Sequence, residues 1–170
     1  MKENWKMKLF RKLFICSLTL LFVIPVFANL TVPIYSLKNN QLIGNVVISQ
    51  SQYGLIFTPA LKGLPPGIHG IHIHQNPSCA ENGMAAGGHW DPQKNDQHEG
   101  PYGKGHLGDL PALAVDSQGL ANVPLLAPKL HSLNQLKGHA LIIHAGGDNY
   151  SDTPEKLGGG GSRIACGVIR

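Results

Sequence analysis

The chain has 170 residues, with 14 Lys and Arg against 10 Asp and Glu, nine His and a formal net charge of +4. Five of the bases (Lys2, Lys6, Lys8, Arg11 and Lys12) but only one acid (Glu3) lie in residues 1–28. The other 142 residues carry nine bases and nine acids and are formally neutral. Nucleic-acid binding needs a surviving Lys/Arg patch or stripe, so DNA and RNA are excluded as partners.

In chain order, the basic start is followed by an apolar run from Leu13 to Phe27 that closes on Ala28. This pattern predicts a secretory signal peptide over 1–28, removed to leave one domain over 29–170. A transmembrane helix needs about 20 apolar residues, and Cys16 follows Ile15 where a lipidation site wants a small residue, so no stable membrane anchor is expected. Two cysteines remain after cleavage, Cys79 and Cys166. An even pair in an exported chain predicts one disulfide. It would close a loop of 87 residues, which the chain-entropy model values at about 4–5 kcal/mol.

Strands are predicted over 30–35 and 42–48, around the turn residues Asn39 and Asn40, and over 54–58. After the turn Gly63-Leu64-Pro65-Pro66-Gly67, residues 68–74 read as one strand. There Ile71 and Ile73 alternate with His72 and His74, placing the two histidines on one face. Residues 75–111 show no sustained period and are broken repeatedly by Gly and Pro; an irregular stretch of that length in a small domain is usually functional. Strands resume over 112–115, 121–126 and 140–144. A second glycine-rich loop covers 146–162 and a last strand covers 163–169. Eight strands, no helix-period segment and two long loops predict an all-β Greek-key sandwich or barrel.

All nine histidines fall within 29–170. His89, His98, His106 and Asp109 make three imidazoles and one carboxylate, a donor set suited to a closed tetrahedral zinc site. His72, His74 and His144 are imidazoles alone, as copper(II) favours, but they are one short of a square. A ring shared through both nitrogens would complete both sets, and His89, first in the long loop after the His72/His74 strand, is the candidate.

Five ordered motifs then resemble the copper/zinc superoxide dismutases across residues 30–170: His69-Gly70-Ile71-His72-Ile73-His74, Gly88-His89-Trp90-Asp91-Pro92, Gly105-His106-Leu107-Gly108-Asp109-Leu110, His144-Ala145-Gly146-Gly147-Asp148 and Arg163-Ile164-Ala165-Cys166-Gly167. Gly87-Gly88-His89, Gly108-Asp109-Leu110-Pro111 and Asp148-Asn149-Tyr150-Ser151-Asp152 are most similar to the exported bacterial branch. The resemblance implies one copper ion held by His72, His74, His89 and His144, and one zinc ion held by His89, His98, His106 and Asp109. It also implies a Cys79–Cys166 disulfide, and Arg163 beside the copper to draw in the superoxide anion. Asp148 would accept hydrogen bonds from His72 and His98, with Asp152 as the alternative. The implied reaction is superoxide dismutation in the periplasm, with His89 carrying a proton.

The other histidines receive no ligand role: His69 is expected to brace the copper strand by hydrogen bonding, while His131 and His139 fall outside the motifs. Trp90 suits either core packing or the interface of a homodimer. Lys94, Lys104 and Lys156 either steer the anion or are plain solvated charge. No metal-capturing His/Met-rich arm is expected, because Asn29-Leu30-Thr31-Val32-Pro33 directly follows the cleavage point. The competing reading is a non-catalytic copper/zinc carrier on the same fold. It is disfavoured because only Met84 and two oxidised cysteines could offer the soft sulfur that Cu(I) prefers.

Overall fold

The computed structural model describes residues 29–170; the signal peptide expected over 1–28 lies outside the described residues. Among the described residues there are ten strands and three short 3-10 turns: β1 Asn29–Ser36, β2 Leu42–Ser51, β3 Gly54–Lys62, β4 Gly67–His69, β5 Ile71–His74, β6 Leu113–Val115, β7 Leu120–Ala121, β8 Leu125–Ala127, β9 His139–His144 and β10 Arg163–Ile169. The all-β expectation holds. Two of the eight expected strands are each divided. Residues 68–74 break at Gly70, whose N–H donates to Gly146 O at 2.8 Å, so that β4 pairs with β6 and β5 with β9. Residues 121–126 break into β7 and β8, both of which pair with β3.

The large antiparallel sheet runs β5-β9-β10-β1-β2-β3-β7, with β8 also on β3, and β4 and β6 form a separate pair. The chain leaves β5 at one end of the large sheet, joins β7 and β8 at the other, and returns to β9 beside β5, a Greek-key path. Alternation along the strands supplies the core: Val32, Ile34, Val46, Ile48, Leu55, Phe57, Ile71, Ile73, Leu141 and Ile143 are all buried in one cluster. His72 and His74 occupy the opposite face of β5 and are also fully buried. That face is covered by the long loop.

Backbone pairing holds the loop there. Trp90 N–H donates to Ile73 O at 2.8 Å and Ile73 N–H to Gly108 O at 2.9 Å. The resulting bridges match His74 with His89 and His72 with Asp109. The free edge of β5 is thereby covered, and two loop residues are brought level with the strand histidines. At the far side of β9, register places Arg163 opposite His144.

Candidate metal centre

Three groups of potential ligand side chains emerge among the described residues, one of them the hydrogen-bonded trio of His72, His98 and Asp148 and the other two clusters of four. In one cluster of four, His72, His74, His89 and His144 each offer a ligand atom within 4.8 Å of the others; in the second, His89, His98, His106 and Asp109 do the same. His89 belongs to both. All seven residues are buried, and buried polar groups demand partners.

The hydrogen bonds outside each cluster decide which nitrogen faces in. His74 donates through Nδ1 to Gly87 O at 2.9 Å and His144 through Nδ1 to Gly161 O at 3.2 Å. Both Nε2 atoms are then lone-pair acceptors, yet they confront each other at 3.4 Å. Two facing lone pairs repel unless a cation lies between them. His72 and His98 donate through Nε2 to the two oxygens of Asp148, at 2.8 and 2.7 Å. Their Nδ1 atoms, with His106 Nδ1 and Asp109 Oδ2, are buried without any hydrogen-bond partner. His89 differs: its Nδ1 lies 3.0 Å from Asp109 Oδ1, and its ring stacks on His72 at 3.9 Å. Orphaned inward donors on two contiguous sets, one all imidazole and one with a carboxylate, fit copper and zinc.

Protonation states agree with that use. Burial lowers the pKa of His72 to about 3, His74 to about 2 and His144 to about 4, with the His89 charge pushing the same way. These rings are neutral at neutral pH, with lone pairs available to a metal. Burial also lowers His89, against the pull of Asp109. His98 is the exception: burial lowers it, but the Asp109 carboxylate beside its Nδ1 and the Asp148 carboxylate on its Nε2 together prevail and raise it to about 9. Asp148 and Asp109 are held well below the usual carboxylate range; burial opposes this, and the imidazoles crowded against each carboxylate outweigh it.

The remaining sequence-selected residues fall into place around these clusters. Asp152 accepts from the backbone N–H groups of His98, at 2.8 Å, and Leu157, at 3.0 Å, so it holds the loop where Asp148 holds the rings. Arg163 donates to the carbonyl oxygens of Gly83 and, at 2.6 Å, Gly87. Burial lowers its pKa, and a guanidinium nevertheless stays charged. Cys79 and Cys166 form a disulfide with Cα atoms 5.8 Å apart. His69 is buried, with its ring nitrogens 2.8 Å from His144 O and Pro65 O. His131 is exposed. His139 has its ring 4.4 Å from that of Trp90, and Trp90 is half-buried against the core. Sequence reasoning did not single out Lys129, Gly158 or the carbonyls of Gly83 and Gly87, which hold the site through backbone contacts that leave no motif.

An all-imidazole cluster joined through one ring to an imidazole–carboxylate cluster, on a Greek-key β-fold, defines a two-metal copper/zinc protein. The chain belongs to the copper/zinc superoxide dismutase family, whose profile matches residues 42–169. A copper-zinc superoxide dismutase from Pasteurella multocida is 57% identical, covering 78% of this chain and 76% of its own length. The solved copper/zinc superoxide dismutase of Brucella abortus superposes with a TM-score of 0.80 at 45% identity, over 84% of this chain and all of that one. A Salmonella enterica relative, described as monomeric, superposes with a TM-score of 0.73 at 52% identity, over 84% of this chain and all of that one.

Proposed function

We propose that His72, His74, His89 and His144 hold copper, that His89, His98, His106 and Asp109 hold zinc, and that the pair serves superoxide dismutation. The single observation behind this assignment is that His89 alone belongs to both clusters. Two superoxide anions and two protons give dioxygen and hydrogen peroxide. Copper, when bound, supplies the electron exchange that oxidises one superoxide and reduces the next.

The protein's own residues attract the anion, orient it and move a proton. Arg163 offers a positive charge on a short tether, its guanidinium tied down to two carbonyls of the 83–87 segment, so superoxide meets it at a fixed place. His89 is suited to carry a proton: its Nδ1 lies on the Asp109 side and would serve the zinc set, and its Nε2, whenever it does not hold copper, would take a proton and hand it to the leaving hydrogen peroxide. Asp148 keeps His72 and His98 in one tautomer through paired hydrogen bonds.

The carrier alternative finds no support. The relatives are named superoxide dismutases, the copper cluster is buried imidazole, and the cysteines are cross-linked. A test loads the protein with copper and zinc and follows superoxide loss, with His144→Ala alongside. A loaded wild type no faster than that variant overturns the assignment.

We also infer export to the periplasm with cleavage after Ala28. The basic and apolar leader supports this, as does a disulfide that needs an oxidising compartment. N-terminal sequencing of the periplasmic protein tests it, and a start other than Asn29 overturns the boundary. A homodimer through the face carrying Trp90 and His139 belongs to the same reading, supported by the partial exposure of that pair. Sedimentation measures it, and a monomer at high concentration overturns it.

A further inference from the structure

The stretch that carries His98 and His106 has no strand of its own. It closes on itself through His106 N–H to Gln97 O at 2.9 Å and Lys104 N–H to Glu99 Oε2 at 2.6 Å. From outside it, just past β8, comes Lys129. Its half-buried side chain donates from Nζ to His106 O at 2.7 Å and to Gly100 O at 3.1 Å. Gly100 is held from its other side as well. It has φ +67°, and a Cβ there would lie 2.7 Å from Tyr150 Cγ, so the tyrosine ring rests directly on its backbone. Tyr150 is itself anchored by Ala112 N–H, which donates to its hydroxyl at 2.9 Å.

We propose that Lys129 is a positioning residue of the zinc site, its ammonium fixing the backbone of His106 and Gly100 so that His98 and His106 face Asp109 before the metal arrives. The inference rests on the reading of His89, His98, His106 and Asp109 as zinc ligands. The charge makes it testable. Burial lowers the Lys129 pKa, while Asp109 and Glu99 support the ammonium form. An ammonium beside a dication is repulsive. A purely electrostatic Lys129 would weaken zinc binding, and its removal would tighten it. A positioning Lys129 gives the opposite sign.

The experiment uses the copper- and zinc-loaded protein and follows zinc release to a chromophoric chelator. Lys129→Met, Lys129→Arg, Lys104→Met and Asp109→Ala are compared with wild type. Amide hydrogen exchange over residues 97–106 is measured in the zinc-loaded and zinc-free forms. Lys129→Met is expected to release zinc roughly tenfold faster, the low end for loss of a residue that orients metal ligands. It should also exchange faster across 97–106 in the zinc-free form. Lys129→Arg, which keeps charge and donors, is expected to restore slow release, and Lys104→Met, a loss of charge in the same loop, to leave it unchanged. Tighter zinc in Lys129→Met, equal effects of Lys129→Met and Lys104→Met, or a failure of Arg to rescue overturns the inference. Zinc that remains bound equally well in Asp109→Ala overturns the site reading and the inference with it. Zinc that depends on Asp109 but not on Lys129 overturns the inference alone.

Discussion

Arg163 and His74 hydrogen-bond to the same oxygen. Gly87 O accepts from Arg163 Nη2 at 2.6 Å and from His74 Nδ1 at 2.9 Å. The guanidinium proposed to draw in the anion and one imidazole of the proposed copper set are thus referred to a single backbone atom. The Cys79–Cys166 disulfide ties the segment carrying that atom to β10, three residues beyond Arg163. Guanidinium, ring and cross-link form one unit.

Arg163→Ala is therefore expected to slow superoxide consumption roughly tenfold or more at low ionic strength and to flatten its dependence on salt, because field-guided encounter is lost. Arg163→Lys keeps the charge but not the two-carbonyl geometry, and its activity should fall between. Pulse-radiolysis rates over a salt series measure this; an alanine variant with the wild-type rate and salt profile removes Arg163 from the mechanism.

Asp148 takes one hydrogen bond from a ring of each cluster. Asp148→Ala should weaken metal binding about 10- to 100-fold, the usual cost of losing a partner that orients ligands. Gly158→Ala should act in the same direction, since its φ is +77° and a Cβ would collide with the Asp148 carboxylate. Chelator competition provides the readout. Unaltered affinity in both variants would show that the rings keep their orientation without the carboxylate.

The metal-free protein should be most stable near pH 6.5. Below that value the unfolded histidines take protons that His144, His72 and His74 refuse in the fold until about pH 4, 3 and 2, so stability falls with pH. The depressed carboxylates of Asp109 and Asp148 add to that loss at still lower pH. His98, raised to about 9, contributes stability below pH 6.5 that is lost as the pH rises through 9. Urea midpoints of the metal-free form from pH 4 to 10 test this. A midpoint that climbs steadily from 7 to 9 contradicts the His98 assignment, and one flat from 6.5 to 4 contradicts the others.

Reduction of Cys79–Cys166 should cost about 4–5 kcal/mol through the freed unfolded chain. It should also lower superoxide consumption, because Gly83 and Gly87 lose their fixed position under Arg163. Urea titration and activity of the Cys79→Ser, Cys166→Ser double variant report the two effects separately. Full activity in a destabilised variant would show that Arg163 holds its place without the cross-link.

The strand sequence Ile71-His72-Ile73-His74 was sufficient to place two imidazoles on one face, because side chains alternate in any extended strand. Donor chemistry sorted His89, His98, His106 and Asp109 from the all-imidazole set, and the cysteine pair, in a chain whose leader reads as an export signal, pointed to its cross-link. These are local or compositional properties. The break at Gly70 left only a weak mark in the sequence, a glycine that puts Ile68 and Ile71 out of phase; the pairing of β4 with β6 and of β5 with β9 is what divides the run there. Nor could spacing distinguish the roles of Asp148 and Asp152, four residues apart in one glycine-rich loop. The path of that loop over β5 carries the first to the rings and the second to a backbone amide. Lys129 lies outside every motif and acts on carbonyls, which are the same in all sequences. Its task exists only because β8 ends beside the loop that carries His106, a proximity set by the packing of distant segments.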